Sequence, residues 1–380
     1  MKGFAERLKH TEEYYFSKKL KEVQGLIAAG KPIIHMGIGS PDGMPDASVI
    51  QAITQSVENP ANHGYQAYQG IPALRLAMAD FYQSQYGVTV DHTSEVLPLM
   101  GSKEGIMHAS LAFLNPGDQV LIPNPGYPTY SSVARLLQAE PVPYALKVSH
   151  KYWPDFDALE ALDLSKVKIM FANYPHMPTG AKADLQLFET LLAFCQKHQI
   201  VLIHDNPYSH VLEEQPKSIF QLEGAKKVAL ELNSLSKSSN MAGWRVGMLV
   251  GKHEWIQAIA TVKSNMDSGM LKGVQEGAVQ ALGLGKDWYQ ELNAQYGARK
   301  KLIFQLLDKL GWGYSRDTAG LFVWAQLPQG VAATKACDQL LYEKNIFTTP
   351  GTVFGSEGEG YVRFSLCVTE EKIQEAINRL

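Results

Sequence analysis

Along the chain, short unbroken apolar runs alternate with longer stretches in which apolar residues recur every third or fourth position. The runs read as buried strands, the stretches as amphipathic helices. Strands are expected at Pro32–Met36, Val96–Met100, Gln119–Pro123, Pro141–Leu146, Val167–Ala172, Ile200–Ile203, Val228–Leu232 and Val246–Val250. Helices are expected over Glu6–Gly30, Asp46–Ser56, from Pro72 through Tyr82, over Ile106–Leu114 and over Leu185–His198. This alternation implies a mainly parallel sheet covered by helices on both faces. From Trp288 the pattern changes. A long helix over Asp287–Leu310 is followed by short strands at Leu321–Gln326, Ile346–Thr348 and Gly360–Leu366, and by a terminal helix over Thr369–Leu380. The expected organisation is α/β, with a large domain over 46–284 and a smaller α+β domain over 285–380 that the N-terminal segment 1–45 joins.

Composition narrows the field more than it identifies anything. The 380 residues carry a formal net charge of −3, which gives nucleic acid or an anionic membrane no electrostatic purchase. No apolar run is long enough to span a bilayer, and Met1–His10 lacks an apolar signal core. Cys195, Cys337 and Cys367 lie far apart and form no CxxC pair, so neither a disulfide framework nor a metal site is expected. The expected location is the cytoplasm.

Candidate chemistry collects just after predicted strands, where α/β sheets bind ligands. Gly37-Ile38-Gly39-Ser40-Pro41-Asp42 is a tight turn that exposes a backbone N–H at Gly39. Gly101-Ser102-Lys103-Glu104-Gly105 joins a strand to a helix N-terminus, an arrangement that suits an anion. Tyr127 follows the third of these strands and offers a flat ring, or ordinary packing. Asp205 ends another strand, with Tyr208 just beyond; a carboxylate there can hold a ring nitrogen protonated or cap a helix. The most telling stretch is Ser234 to Gly247, Ser-Leu-Ser-Lys-Ser-Ser-Asn-Met-Ala-Gly-Trp-Arg-Val-Gly. Lys237 there suits a Schiff base with pyridoxal phosphate, since such an amine needs surroundings that favour its neutral form, or it is a surface lysine in a polar loop. Ser234, Ser236 and Arg245 are donors for a phosphate beside it. Arg363, the one arginine of its apolar strand, has the fork that a substrate carboxylate needs, or serves an ordinary ion pair. Tyr15, among adjacent aromatics, is a further ligand candidate.

Taken together these segments resemble the class I/II pyridoxal-phosphate-dependent aminotransferases of fold type I, over essentially the whole chain. Pro178-Thr179-Gly180 adds to the match. Tyr15-Phe16, Gly101–Gly105 and Ser264-Asn265-Met266-Asp267-Ser268-Gly269 are similar to the branch containing LL-diaminopimelate aminotransferase. The resemblance implies a seven-stranded type of sheet and a ping-pong transfer of an amino group between an L-amino acid and a 2-oxo acid. It implies Lys237 as Schiff base and proton shuttle. Ser102, Lys103 (by backbone), Ser234 and Arg245 would hold the phosphate, with Tyr127 on the ring, Asp205 at its nitrogen and Tyr208 at its phenolic oxygen. It implies Gly39 and Arg363 at the substrate carboxylate. Tyr65 and Asn265 would reach the partner's site in a homodimer. One departure stands out: the family's usual Asn-Pro-Thr-Gly is His176-Met177-Pro178-Thr179-Gly180 here. Methionine cannot donate to the phenolic oxygen, which should raise the imine pKa. A C–S β-lyase on the same fold, or a non-catalytic ligand-binding relative, are the alternatives.

Overall fold

The structure, a computed structural model, describes residues 3–5, 7–8 and 15–380. Of the helix expected over Glu6–Gly30, the described helix runs Tyr15–Ala28; Glu6 and residues 9–14 lie outside the described residues. The strands are β1 (Ile34–His35), β2 (Val96–Leu99), β3 (Gln119–Asn124), β4 (Glu140–Ala145), β5 (Val167–Asn173), β6 (Val201–Asp205), β7 (Ala229–Ser234), β8 (Gly247–Val250), β9 (Phe322–Gln326), β10 (Ile346–Phe347), β11 (Thr349–Pro350) and β12 (Tyr361–Ser365). Seven of them form the central sheet in the order β2-β8-β7-β6-β5-β3-β4. The pairs from β4 through β7 are parallel, whereas β8 runs antiparallel to both β2 and β7. The reason is local. Only a one-turn helix, Leu235–Ser238, and a 3-10 turn, Ala242–Trp244, separate β7 from β8, too little for a parallel crossover. The reversed strand brings Arg245 and Gly247 back to the edge where β7 ends at Ser234.

Buried apolar side chains pack against the sheet on both faces, as its nearly continuous apolar strands require. A separate core surrounds the antiparallel sheet β11-β12-β9 and takes in the long helix Lys286–Leu310, Ile34 and Met36, with Met177 and Tyr208 reaching into it. β1 pairs in parallel with β10, so the N-terminal segment is stitched to the C-terminal part of the chain.

Hydrophobic spacing names no element between Val250 and Asp287, yet helices His253–Ser264 and Lys272–Leu282 lie there. The second buries Gly273, Gly277, Ala278 and Ala281, small residues that let it approach helix Ala47–Glu58 closely. A face made of glycine and alanine leaves little apolar periodicity to read. Helices Phe156–Glu160 and Ala333–Lys344 are likewise additional to the expected set. The helix expected from Ile106 begins earlier, at Ser102, directly after Gly101.

Candidate active site

The carboxyl edge of the central sheet and the β9–β12 layer enclose a cavity of about 500 Å³. Gly39, Ser102, Lys103, Tyr127, Met177, Asp205, Tyr208, Ser234, Ser236, Lys237, Arg245 and Arg363, far apart in sequence, all line it. Three candidates are elsewhere. Tyr15 packs against the C-terminal core, and from its helix Leu20 reaches the cavity instead. Tyr65 is 94 % exposed, and Asn265, also exposed, caps helix His253–Ser264.

Lys237 sits in the single helical turn after β7, where Ser234 caps the turn by accepting from the Ser236 N–H. Its ammonium donates to the Gly39 carbonyl at 2.5 Å. Burial brings the amine down to about 8, and the nearby guanidiniums of Arg363 and Arg245 add to the shift against the opposing pull of the Cys367 thiol. An amine with that value is substantially neutral near pH 8 and available as a nucleophile or base. Asp205 ends β6 and is 4 % exposed. Its Oδ2 accepts from the Tyr130 hydroxyl at 2.7 Å, whereas Oδ1 is buried without a partner. Burial pushes the carboxyl up to about 6, although the Tyr130 hydrogen bond and nearby His204 pull it down. A buried oxygen of this kind is satisfied by a cationic N–H in the cavity, which is what the ring nitrogen of pyridoxal phosphate supplies. Beside it the Tyr208 phenol is held protonated by burial and remains a donor.

A set of donors that suits an anion lies at the other end. Gly101 has φ +87°, and a Cβ there would come within 2.0 Å of Arg245 Nη2. Glycine thus lets the start of helix Ser102–Phe113, with its first-turn N–H groups, lie against the guanidinium. Arg245 Nη1 donates to Ala242 O at 2.9 Å and to Ser236 Oγ at 3.5 Å, which ties the guanidinium to the Lys237 turn. The donors suit a dianion, so the residues present fit pyridoxal phosphate at both ends.

Arg363, on β12 and 5 % exposed, donates from Nη2 to Gly37 O at 2.7 Å. Its guanidinium lies between two rings, 3.9 Å from the centroid of Phe322 and 4.6 Å from that of Phe354. Nη1 meets the sulfur of Met177 at 3.3 Å. His176 faces away from the cavity, its Nδ1 2.8 Å from Thr179 Oγ1. Several lining residues escaped the reading of the sequence. Asn173 and Tyr130 carried a usable signal, since one ends β5 and the other follows Tyr127 within the same loop and helix. Leu20, Phe322 and Phe354 carried none: each is one apolar residue among many until the fold turns it inward.

The profile of the family "Aminotransferase class I and II" matches residues 31–380. The chain is 38 % identical to the LL-diaminopimelate aminotransferase of Halothermothrix orenii, over 99 % of this chain and 97 % of that one. It is 39 % identical to LL-diaminopimelate aminotransferase 2 of Trichormus variabilis over the same shares. Among solved structures, apo BacF from Bacillus subtilis superposes with a TM-score of 0.96 at 35 % identity, over 100 % of this chain and 98 % of that one. A probable N-succinyldiaminopimelate aminotransferase from Thermus thermophilus superposes with a TM-score of 0.88 at 31 % identity, over 96 % and 98 %. A buried lysine amine, an acid whose Oδ1 has no partner and a group of anion-suited donors share one cavity in a chain matched along nearly all its length. The protein belongs to the class I and II aminotransferases, pyridoxal-phosphate-dependent enzymes that move an amino group between an amino acid and a 2-oxo acid.

Proposed function

We propose the following division of labour for the transamination. The observation that carries it is the unpartnered Oδ1 of Asp205 in the cavity onto which Lys237 opens. Pyridoxal phosphate, when bound, supplies an aldehyde for amines and a ring that accepts the electron pair left at Cα. Lys237 carries the cofactor and, once displaced by the amino donor, takes the Cα proton on Nζ and returns it during the transfer. Asp205 holds the ring nitrogen protonated, and Tyr208 donates to the phenolic oxygen. Tyr127 lies on the ring face. Ser102, Lys103 through its backbone, Ser234, Ser236 and Arg245 hold the phosphate. Arg363 and the Gly39 N–H hold the substrate carboxylate. Met177 occupies the place of the usual asparagine donor and leaves Tyr208 to support the phenolate. Loading the protein with pyridoxal phosphate should give a visible absorbance band, and borohydride should fix one cofactor on residue 237. Lys237→Ala should lose the adduct and all turnover; an adduct at another residue, or persisting turnover, would contradict the assignment.

The reading extends to a homodimer in which Tyr65 and Asn265 complete the partner's site. Exposed apolar side chains support it. The loop carrying Tyr65 and Tyr68 packs against the segment of Met266 and Leu271, because Gly269 lies against the Gln66 and Ala67 carbonyls. Met44 is 73 % exposed, and its carbonyl accepts from Asn240, three residues after Lys237. An apolar patch of this kind marks a contact surface. The reading also includes the division into segment 1–45, a cofactor-binding domain over 46–284 and a small domain over 285–380, supported by the separate core around β9 and β12. A cytoplasmic address accompanies it, supported by three free cysteines.

A further inference from the structure

The end of the cavity beyond Lys237 differs from the rest in its chemistry. The lining has one carboxylate, Asp205, and four cations, Lys103, Lys237, Arg245 and Arg363. Lys103 follows Gly101 and Ser102, the turn that abuts the Arg245 guanidinium, so it belongs to the phosphate end. At the opposite end Arg363 is held by the Gly37 carbonyl, two aromatic faces and a thioether. Met177, Phe322 and Phe354 touch it, and Ile38 and Leu20 line the same cavity. Ile38 lies between Gly37, whose carbonyl takes Arg363, and Gly39, whose carbonyl takes Lys237. Leu20 comes from the N-terminal helix and packs against the cluster of Val23, Leu341 and Phe347, and the Phe347 ring lies against Gly37. Phe322 is pressed so close to Gly39 that a Cβ there would come within 2.2 Å of its ring. An amino acid with its carboxylate on Arg363 and its Cα at Lys237 therefore turns its side chain toward hydrocarbon. Among the described residues of this chain no second cation or carboxylate lines that end, and Tyr65 and Asn265, which the homodimer reading brings to the partner's site, are uncharged as well.

We propose that the amino donor of this enzyme is an L-amino acid with an uncharged apolar or aromatic side chain, received by the Leu20–Ile38–Phe354 wall. The proposal rests on the aminotransferase reading of the same site. It sets this chain apart from the relatives named for LL-diaminopimelate, a compound whose far end is a second ammonium–carboxylate head. A charge buried against such a wall lacks a partner and is disfavoured steeply, whereas each methylene placed there is favourable. The test follows single-turnover loss of the cofactor's absorbance band in the loaded enzyme. L-phenylalanine, L-leucine and L-methionine are set against L-aspartate, L-glutamate and LL-diaminopimelate. The apolar donors should exceed the charged ones by about 100-fold in apparent second-order rate constant. Calorimetry with the unreactive acids 3-phenylpropionate and glutarate should show the same order in binding. Ile38→Arg, which puts a cation in the wall, should move the aspartate-to-phenylalanine ratio toward aspartate by at least about tenfold. Equal or faster reaction of a charged donor in the parent enzyme, or glutarate binding as tightly as 3-phenylpropionate, would overturn the proposal while leaving the aminotransferase assignment intact. A panel in which no donor reacts would overturn that assignment itself, and the proposal with it.

Discussion

In the proposed division of labour, Asp205 is where stability and catalysis oppose each other. Its carboxyl is pushed up to about 6 by burial, so the fold favours the protonated acid. The cost of burying the charge is absent below about pH 4, grows through pH 6 and is full by pH 8. Asp205→Asn should therefore stabilise the cofactor-free protein at pH 8 by up to about 3 kcal/mol, with the gain shrinking toward pH 4. Urea unfolding of the two apo proteins across that range checks it. The same substitution should lower turnover by about 100-fold or more, because a neutral amide cannot keep the ring nitrogen cationic. Loss of stability at pH 8, or activity near the parent's, would show that Asp205 has no such role. Lys237 follows the same logic with opposite charge: burial that disfavours the ammonium is what leaves a reactive amine.

At the scale of elements, the site is made by the ends of strands and the first turns of helices. β5, β6 and β7 end at Asn173, Asp205 and Ser234, and the reversed β8 starts just after Arg245 at the same edge. Helix Ser102–Phe113 adds its N-terminus only because Gly101 adopts a backbone that other residues rarely reach. Gly101→Ala should cost about 1–3 kcal/mol of stability from backbone strain. It should also displace the Arg245 guanidinium, against which the new methyl would press. The observable is the dissociation constant for pyridoxal phosphate, expected to rise more than the stability loss alone explains. Unchanged cofactor affinity would remove Gly101 and Arg245 from the phosphate cradle.

At the scale of the whole molecule, the cavity exists because two cores meet. The central sheet contributes Lys237 and Asp205, while β12 and β9 contribute Arg363 and Phe322. The N-terminal segment touches both: β1 pairs with β10 and the Arg299 guanidinium, from the long helix, grips both oxygens of Asp42 at 2.7 and 2.9 Å, while the Gly39 and Met44 carbonyls accept from Lys237 and Asn240 on the side of the central sheet. If the enzyme is a dimer with shared sites, Lys237→Ala and Tyr65→Ala should each be impaired as homodimers. Mixing them under exchange conditions should restore activity, since one of the two sites then has an intact lysine and an intact tyrosine. Sedimentation gives the oligomeric state alongside; a monomer, or no recovery on mixing a well-exchanged pair, would defeat the shared-site arrangement.

Much of this was legible in the chain before any coordinates. The alternation of apolar runs and helical spacing expresses a periodicity local to a few residues, so β3, β5 and β6 emerge within a residue or two of their expected bounds. The Lys237 stretch and the Gly101 turn are equally local, because backbone freedom and cofactor chemistry restrict neighbouring residues together. Helix Lys272–Leu282 stayed hidden since its buried face is glycine and alanine, whose placement is dictated by the helix opposite. The direction of β8, the burial that moves Asp205 and Lys237 away from their ordinary pKa values, and the rings over Arg363 all depend on residues distant in the chain. The sequence by itself singled out Lys237 as the candidate cofactor lysine and determined the α/β framework, both properties of short segments. Only the tertiary structure decided what lines the cavity, because a wall built from residues 20, 38, 322 and 354 has no existence until folding brings them together.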